Sequence, residues 1–216
     1  MMQLRSIFFT ALLGFMLVTP AASQSTDVIG DLSLHLQGGI SSDPVGFDAF
    51  RETTFGSATT YGGGFTYIFY ENIAVRGDFL YAPKTGREEC CSAQAPGDGL
   101  GVVVPANPGS VSEDVALNRY YYGASLLIRF PMTSAVPYLK LGGGFIDIRR
   151  DAPSYQYDFA EFGVQLGGGI SMPIGRDAPV ALFVDVVEWI YARTGTGTGN
   201  QYDTVISAGL SYSFIR

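Results

Sequence analysis

Residues 119–130 read RYYYGASLLIRF and carry the clearest pattern in the chain. From position 120 to position 130, every second residue is aromatic, aliphatic or Ala. The alternate positions, from 119 to 129, include Arg119, Gly123, Ser125 and Arg129. Successive side chains of a β-strand point to opposite faces, so this alternation predicts a strand with one apolar face and one small or polar face. Residues 207–216, SAGLSYSFIR, repeat the pattern.

The same period recurs along the whole chain in segments of about ten residues, which is the length that a tilted membrane-spanning strand needs. A content of only 15% charged residues, with 28 Gly, also suits many strands in contact with lipid. We therefore predict an all-β fold, an eight-stranded antiparallel up-and-down transmembrane β-barrel. The predicted strands are residues 31–41, 59–69, 73–81, 119–130, 137–148, 158–172, 180–191 and a last strand from about residue 204.

The connections between these strands alternate in length. Residues 70–72, 131–136 and 173–179 are short links, whereas residues 42–58, 82–118, 149–157 and 192–203 are longer. Short turns at one end and long loops at the other are typical of outer-membrane barrels, whose short turns face the periplasm. The alternation predicts that both chain ends lie on the short-turn side.

The first 23 residues have the features of a secretory signal peptide. Arg5 precedes a mostly apolar stretch at residues 7–18, and the small residues 21–23 suit cleavage after Ser23. The predicted domains are therefore a signal peptide at residues 1–23 and a barrel at residues 24–216. Cleavage removes one Arg and no acidic residue, so the formal net charge changes from -7 to -8. Such an acidic chain is not expected to bind nucleic acid.

Charge decides which face of the barrel meets lipid. One face of the predicted strands carries nearly all of the charged residues together with Gly, Ser, Thr and Gln, and the exceptions on the other face, Asp147 and Glu188, lie near strand ends. Because an Arg on the lipid face costs about 2–4 kcal/mol at the bilayer midplane, the apolar face must point outward. The predicted lumen network consists of Arg76, Asp78, Arg119, Arg129, Lys140, Glu161, Gln165 and Asp185. Such a network leaves a narrow bore.

Taken together, the signal peptide, the eight alternating strands, the short turns and long loops, and Tyr212 and Phe214 in the last strand resemble one family. It is the small outer-membrane β-barrel family that includes the OmpA-like transmembrane domain, and the resemblance covers the whole mature chain. It implies a place in the cell outer membrane, and a closing strand similar to the signal that the barrel-assembly machinery reads. Ile215 and Arg216 after the aromatic residue depart from that signal.

His35 is the only histidine, which makes it a candidate catalytic residue. Some barrels of this kind modify lipid A with a His, a Ser and an acid, near the outer leaflet. The predicted place of His35 is inward and nearer the periplasmic end, so we expect a packed, hydrogen-bonded lumen histidine. We predict no catalytic residues, and no enzyme.

Cys90 and Cys91 fall in the longest predicted loop, where a vicinal disulfide, links to other chains or metal binding are all open. Two adjacent thiols without a nearby His do not make a zinc pattern, so no metal site is expected. Residues 193–199, RTGTGTG, lack the Lys and helix of a phosphate-binding loop, and no cofactor is expected. Acidic loop pairs could hold divalent ions that bridge lipopolysaccharide, or could simply be solvated. They are Asp151 with Asp158 and Glu113 with Asp114.

The function that these features favour is a structural or porin-like integral protein of the outer membrane, with its long loops as a contact surface. Alternatives are an adhesin or binding protein that acts through residues 82–118, a lipid A-modifying enzyme, and a soluble ligand-carrying barrel. The expected partners are outer-membrane lipid and lipopolysaccharide, and the assembly machinery during biogenesis. The chain is expected to be a monomer.

Overall fold

A computed structural model describes residues 29–42, 47–48, 51–54, 57–90, 111–132, 134–152, 155–175, 179–192 and 200–214. The predicted signal peptide, Cys91 and residues 193–199 lie outside these ranges. The strands in chain order are β1 (Leu32–Ser42), β2 (Phe47–Asp48), β3 (Arg51–Thr54), β4 (Ala58–Tyr70), β5 (Ile73–Cys90), β6 (Val111–Arg129), β7 (Val136–Ala152), β8 (Tyr155–Pro173), β9 (Val180–Ala192) and β10 (Asn200–Ser213).

Eight of these strands form a closed antiparallel barrel, as the sequence predicts. The wall consists of β1 and β4 to β10, and each strand pairs with its neighbours along the chain. The first and last strands close the cylinder, with Leu36 opposite Leu210. Closure leaves no free edge within the wall. Among the described residues, no helix is long and apolar enough to cross a bilayer.

The predicted centres of the strands are correct, but several predicted ends are wrong. Residues 82–90 and 111–118 were expected to form a loop, whereas β5 and β6 continue as a paired hairpin until Cys90 lies opposite Val111. Similarly, β7 and β8 remain paired up to Ala152 and Tyr155, and β10 begins at Asn200 instead of residue 204. In the predicted loop 42–58, β2 and β3 add to the extended part of β5. At one end of the barrel the strands therefore continue beyond their predicted bounds, and at the other end short turns connect them.

The two faces of the wall have the polarity that the charge argument predicts. Large apolar side chains on the outer face are exposed, for example Leu141 at 52% and Leu210 at 50%. An outer row of Tyr61, Tyr81 and Tyr120 packs ring against ring, with centroids 5.2 and 4.9 Å apart. Aromatic residues of this kind form the girdles at the two membrane interfaces of such barrels.

The glycine runs lie where the wall is tightly coiled. At Gly64, which faces inward, a Cβ atom would lie 1.9 Å from the backbone oxygen of Gly77 on the neighbouring strand. Outward-facing Gly38 is different, since its Cβ would have only the backbone oxygen of Thr60 nearby, at 3.6 Å. Close backbone approach therefore requires glycine on the concave side of the wall.

Candidate functional site in the barrel lumen

Four of the predicted lumen residues meet in the half of the barrel nearer the short turns. We call Arg76, Asp78, Lys140 and Asp185 the ionic cluster. Arg76 Nε lies 3.0 Å from Asp78 Oδ1, and Arg76 Nη1 lies 3.1 Å from Asp185 Oδ2. Lys140 Nζ lies 2.6 Å from Asp78 Oδ2. The two cations and two anions balance, and all four side chains are almost completely buried.

Polar neighbours add hydrogen bonds to the ionic cluster. His35 Nε2 is 2.9 Å from Asp78 Oδ1, which is the packed role expected for this histidine. Gln37 donates to the same oxygen at 3.1 Å, while its own side-chain oxygen accepts from Arg76 and Ser207. The Tyr138 hydroxyl donates to Asp185. Because breaking one buried ion pair leaves an uncompensated charge, these contacts hold the cluster together.

A second group of contacts fills the half of the lumen at the other end of the barrel, opposite the short turns. We call Tyr121, Trp189, Tyr191, Asp203 and Arg119 the aromatic cluster. Asp203 is 0% exposed and accepts hydrogen bonds from Arg119 at 3.0 Å, Tyr121 at 2.9 Å and Tyr191 at 3.2 Å. The rings of Tyr121 and Trp189 pack with centroids 5.4 Å apart. They belong to a buried apolar core that also contains Leu80, Leu117, Ile146, Ile148, Val187 and Val205.

The remaining predicted residues are inside the barrel but apart from the ionic cluster. Arg129 lies at the short-turn end and donates to the backbone oxygen of Glu71 at 3.2 Å. Glu161 is buried on β8 opposite Ile146. Gln165, 1% exposed, lines the space between the ionic and aromatic clusters. The structure therefore divides the predicted network into separate layers.

The aromatic cluster corrects the expectation that the inward face consists mainly of charged residues together with Gly, Ser, Thr and Gln. The apolar core around the aromatic cluster was missed because an Ile that faces the lumen cannot be told from an Ile that faces lipid by sequence alone. Asp203 was missed because it fell in the predicted loop 192–203. A signal was available, since Asp203 has the same strand parity as inward-facing Val205 and Ser207.

The predicted loop sites have a different setting from the one expected. Cys90 is the last residue of β5, paired with Val111, so it belongs to a strand and not to a loop. Glu113 and Asp114 likewise lie in β6. Asp158 is opposite Arg149 in the register of β7 and β8. Among the described residues, no group of His, Cys, Asp and Glu is placed to hold a metal ion.

The two clusters place buried side chains in both halves of the lumen, with the ionic cluster nearer the short turns and the aromatic cluster at the other end. An internal cavity between the clusters offers about 10 Å³ of room for the centre of a water molecule, which suffices for about one water. A cylinder with an apolar outer wall and a filled polar and aromatic bore defines a membrane-spanning β-barrel protein.

The family comparison identifies the chain within that class. The sequence model described as "Outer membrane protein beta-barrel domain" matches residues 9–214, so the chain belongs to this family of the outer membrane. None of the curated proteins compared with the chain matches it.

Two solved structures illustrate the shared fold. The chain is similar to Ail, the attachment invasion locus protein of Yersinia pestis, in its complex with the heparin analogue sucrose octasulfate. The identity is 14%, the TM-score is 0.50, and the match covers 87% of this chain and all of the other. It is also similar to the N-terminal β-barrel domain of Pseudomonas aeruginosa OprF, with 10% identity, a TM-score of 0.52 and coverage of 86% and 98%. At these identities the likeness shows the fold alone.

Proposed function

We propose that the chain is a structural integral protein of the outer membrane with a closed lumen, and that its extended strands form a contact surface. The single observation that carries this proposal is the two-layer filling of the bore. The ionic cluster holds two charge pairs at 2.6–3.1 Å, and the aromatic cluster seals the other half with buried rings. Separating buried charges without new partners is strongly unfavourable, so neither layer opens readily.

The proposal is tested by conductance of the refolded barrel in planar bilayers. The folded fraction is first measured by gel mobility, because a closed barrel migrates differently before and after boiling. We expect no steady channel of nanosiemens size. The variant Tyr121→Ala/Trp189→Ala, which removes two lumen rings, serves as a positive control and should raise the conductance. Steady nanosiemens channels from the unchanged chain would refute a closed lumen.

A non-catalytic role is part of the same proposal. His35 is 3% exposed and bonded to Asp78, beside the ionic cluster. That place supports a packing role for the histidine, since a lipid-modifying site would need groups open to the outer leaflet. The measurement is the acylation pattern of lipid A in cells with the chain or its His35→Gln variant. Any acylation change that needs His35 would contradict this part.

A second function, contact with another macromolecule, is favoured by the paired extension of β5 and β6. The sequence from residue 82 to residue 118, which includes these paired strand ends, carries two basic residues and five acidic ones. The charge supports a basic partner and opposes a polyanion such as the heparin analogue in the Ail structure. The residues are Lys84 and Arg87 against Glu88, Glu89, Asp98, Glu113 and Asp114.

Retention of the refolded barrel on polylysine beads and on heparin beads tests this second function. We expect retention on polylysine that falls with added salt and is lost when residues 87–114 are replaced by a two-residue Asn-Gly turn. Unheated gel mobility checks that the shortened chain still closes. Stronger retention on heparin, or equal retention of the shortened chain, would overturn the proposal.

The chain is proposed to act as a monomer in contact with outer-membrane lipid and lipopolysaccharide, after insertion by the assembly machinery.

A further inference from the structure

The small cavity between the two clusters has an unusual lining. Charged and polar side chains from the ionic cluster and its neighbours border it on one side, and Tyr121 and Trp189 border it on the other. The cavity offers about 10 Å³ for the centre of a water molecule, which is close to the minimum for one trapped water. The polar lining consists of Gln37, Asp78, Lys140, Gln165, Asp185 and Ser207.

Gln165 is the group that points to a ligand. Its side chain is 1% exposed, yet neither Nε2 nor Oε1 has a hydrogen-bond partner within the part of the chain that the structure describes. Buried amides are nearly always hydrogen-bonded, to protein or to trapped water. Gln37 in the same lumen fits that rule, because its amide contacts Asp78, Arg76 and Ser207.

The backbone opposite Gln165 is shaped to admit its amide. A Cβ atom at Gly123 would lie 1.8 Å from Gln165 Nε2, and 3.0 Å from Trp189 Cη2. Only glycine at position 123 therefore leaves room for the amide beside the aromatic cluster. The amide occupies this space while its own donors and acceptor remain free for a further partner.

We propose that the cavity is a binding site for a single water molecule, held by the Gln165 amide and by the polar groups of the ionic cluster. The charges of the ionic cluster favour a neutral ligand, because its two cations and two anions are already paired with one another and leave no net charge for a bound ion. The volume excludes anything much larger than water. A water needs two to four polar partners, and the lining supplies them.

The bound water lies between the two clusters, whose residues line the same cavity. It satisfies Gln165 on one side and reaches the charged layer on the other, so the lumen is hydrated at one enclosed point. This inference rests on the proposed closed lumen, because a bore open to solvent would exchange the water with bulk water. Conductance tests the closed lumen and the NMR experiment tests the bound water, so the two can fail separately.

The test is water-to-amide transfer measured by NMR on the refolded chain with ¹⁵N-labelled Gln side chains in deuterated micelles. We expect the Gln165 amide to show a water cross-peak with the NOE-to-ROE ratio of long-lived water. Gln201, a half-exposed residue near the long-strand end, is the matched control and should show the ratio of bulk water. The Gln165→Met variant assigns the signal.

Displacing the amide, or filling the cavity, gives the second arm of the test. Gly123→Ala should abolish the long-lived cross-peak by displacing the Gln165 amide. Val187→Leu, which adds a methylene to a residue that lines the cavity, replaces it if the first variant does not refold. Absence of the Gln165 cross-peak in the unchanged chain would overturn the proposal. So would a ratio equal to that of Gln201, or a cross-peak that persists after the cavity is filled.

Discussion

Replacing Asp78 by Asn tests how far the ionic cluster stabilises the barrel. The carboxylate oxygens of Asp78 lie 2.6–3.1 Å from side-chain nitrogen atoms of four residues, and the Asp78 side chain is 3% exposed. The four residues are Arg76, Lys140, His35 and Gln37. The Asn variant keeps the shape but removes the charge. Arg76 retains Asp185 as its partner, so Lys140 becomes the uncompensated buried charge.

The expected loss lies toward the lower end of the range for breaking a buried ion pair, about 3 kcal/mol. With a urea slope of about 2 kcal/mol/M, the unfolding midpoint should fall by roughly 1.5 M. The assay is reversible urea unfolding of the barrel in lipid vesicles, followed by fluorescence of Trp189. This residue is the only tryptophan and is 2% exposed in the folded lumen.

Two further variants make the assay decisive. Asp78→Asn/Lys140→Met removes both charges of the pair and should recover most of the lost stability, because neutral groups of similar size can replace a buried pair at little cost. Asp147→Asn is the exposed control. The side chain of its partner Arg149 is 53% exposed, so the Asp147→Asn variant should lose about 1 kcal/mol of unfolding free energy or less. Equal losses for Asp78→Asn and Asp147→Asn, or no recovery in the double variant, would refute the reasoning.

Three other predictions concern the second cluster, the outer wall and the coiled backbone. Asp203→Asn should lower the free energy of unfolding by about 2 kcal/mol, because the fully buried Asp203 loses the charge that strengthens its hydrogen bond from Arg119; an unchanged urea midpoint would contradict the assigned contact. Leu141→Arg should lower the free energy of unfolding by about 2–4 kcal/mol, because the cation would contact lipid; if the chain folds without detergent or lipid and the variant loses as much stability there, the membrane-facing assignment is wrong. Gly64→Ala should fail to give the fast unheated band on gels, whereas Gly38→Ala should refold normally; similar yields for both would show that close backbone approach is not limiting.

Much of the barrel could be predicted from the sequence because lipid imposes a simple rule on each strand. A residue that faces hydrocarbon must be apolar, so the alternation in residues 59–69 gave the second barrel strand to within one residue at each end. The same rule placed Arg76 and Asp78 inside, since neither could face lipid at an acceptable free energy.

The ends of the strands could not be predicted by this rule. Beyond the membrane the outer face of a strand no longer has to be apolar, so the alternation disappears while the backbone hydrogen bonds continue. Residues 82–90, APKTGREEC, therefore look like a loop although they pair with β6 up to Val111. Hydrophobicity marks where the membrane ends, and not where the strand ends.

The layering of the lumen was also beyond the pattern. Period-two reasoning assigns a face to each residue, but contacts across the bore depend on the barrel's stagger, which the sequence does not state. Arg119 was correctly placed inside, yet its partner is Asp203 on β10 and not an acid of the ionic cluster. Trp189 interrupts the alternation in VVEWIY because it fills the lumen, where size is set by the space between strands.

The continuous pairing of β5 with β6 also sets how far the chain stands above the bilayer. Nine residues separate the ring of Tyr81 from Cys90, and at about 3.3 Å per residue with a tilt of about 40° they rise roughly 23 Å. The polar layer on each side of the hydrocarbon is only about 5–8 Å thick. At this height, the paired ends of β5 and β6 at Cys90 and Val111 lie clear of the lipid headgroups.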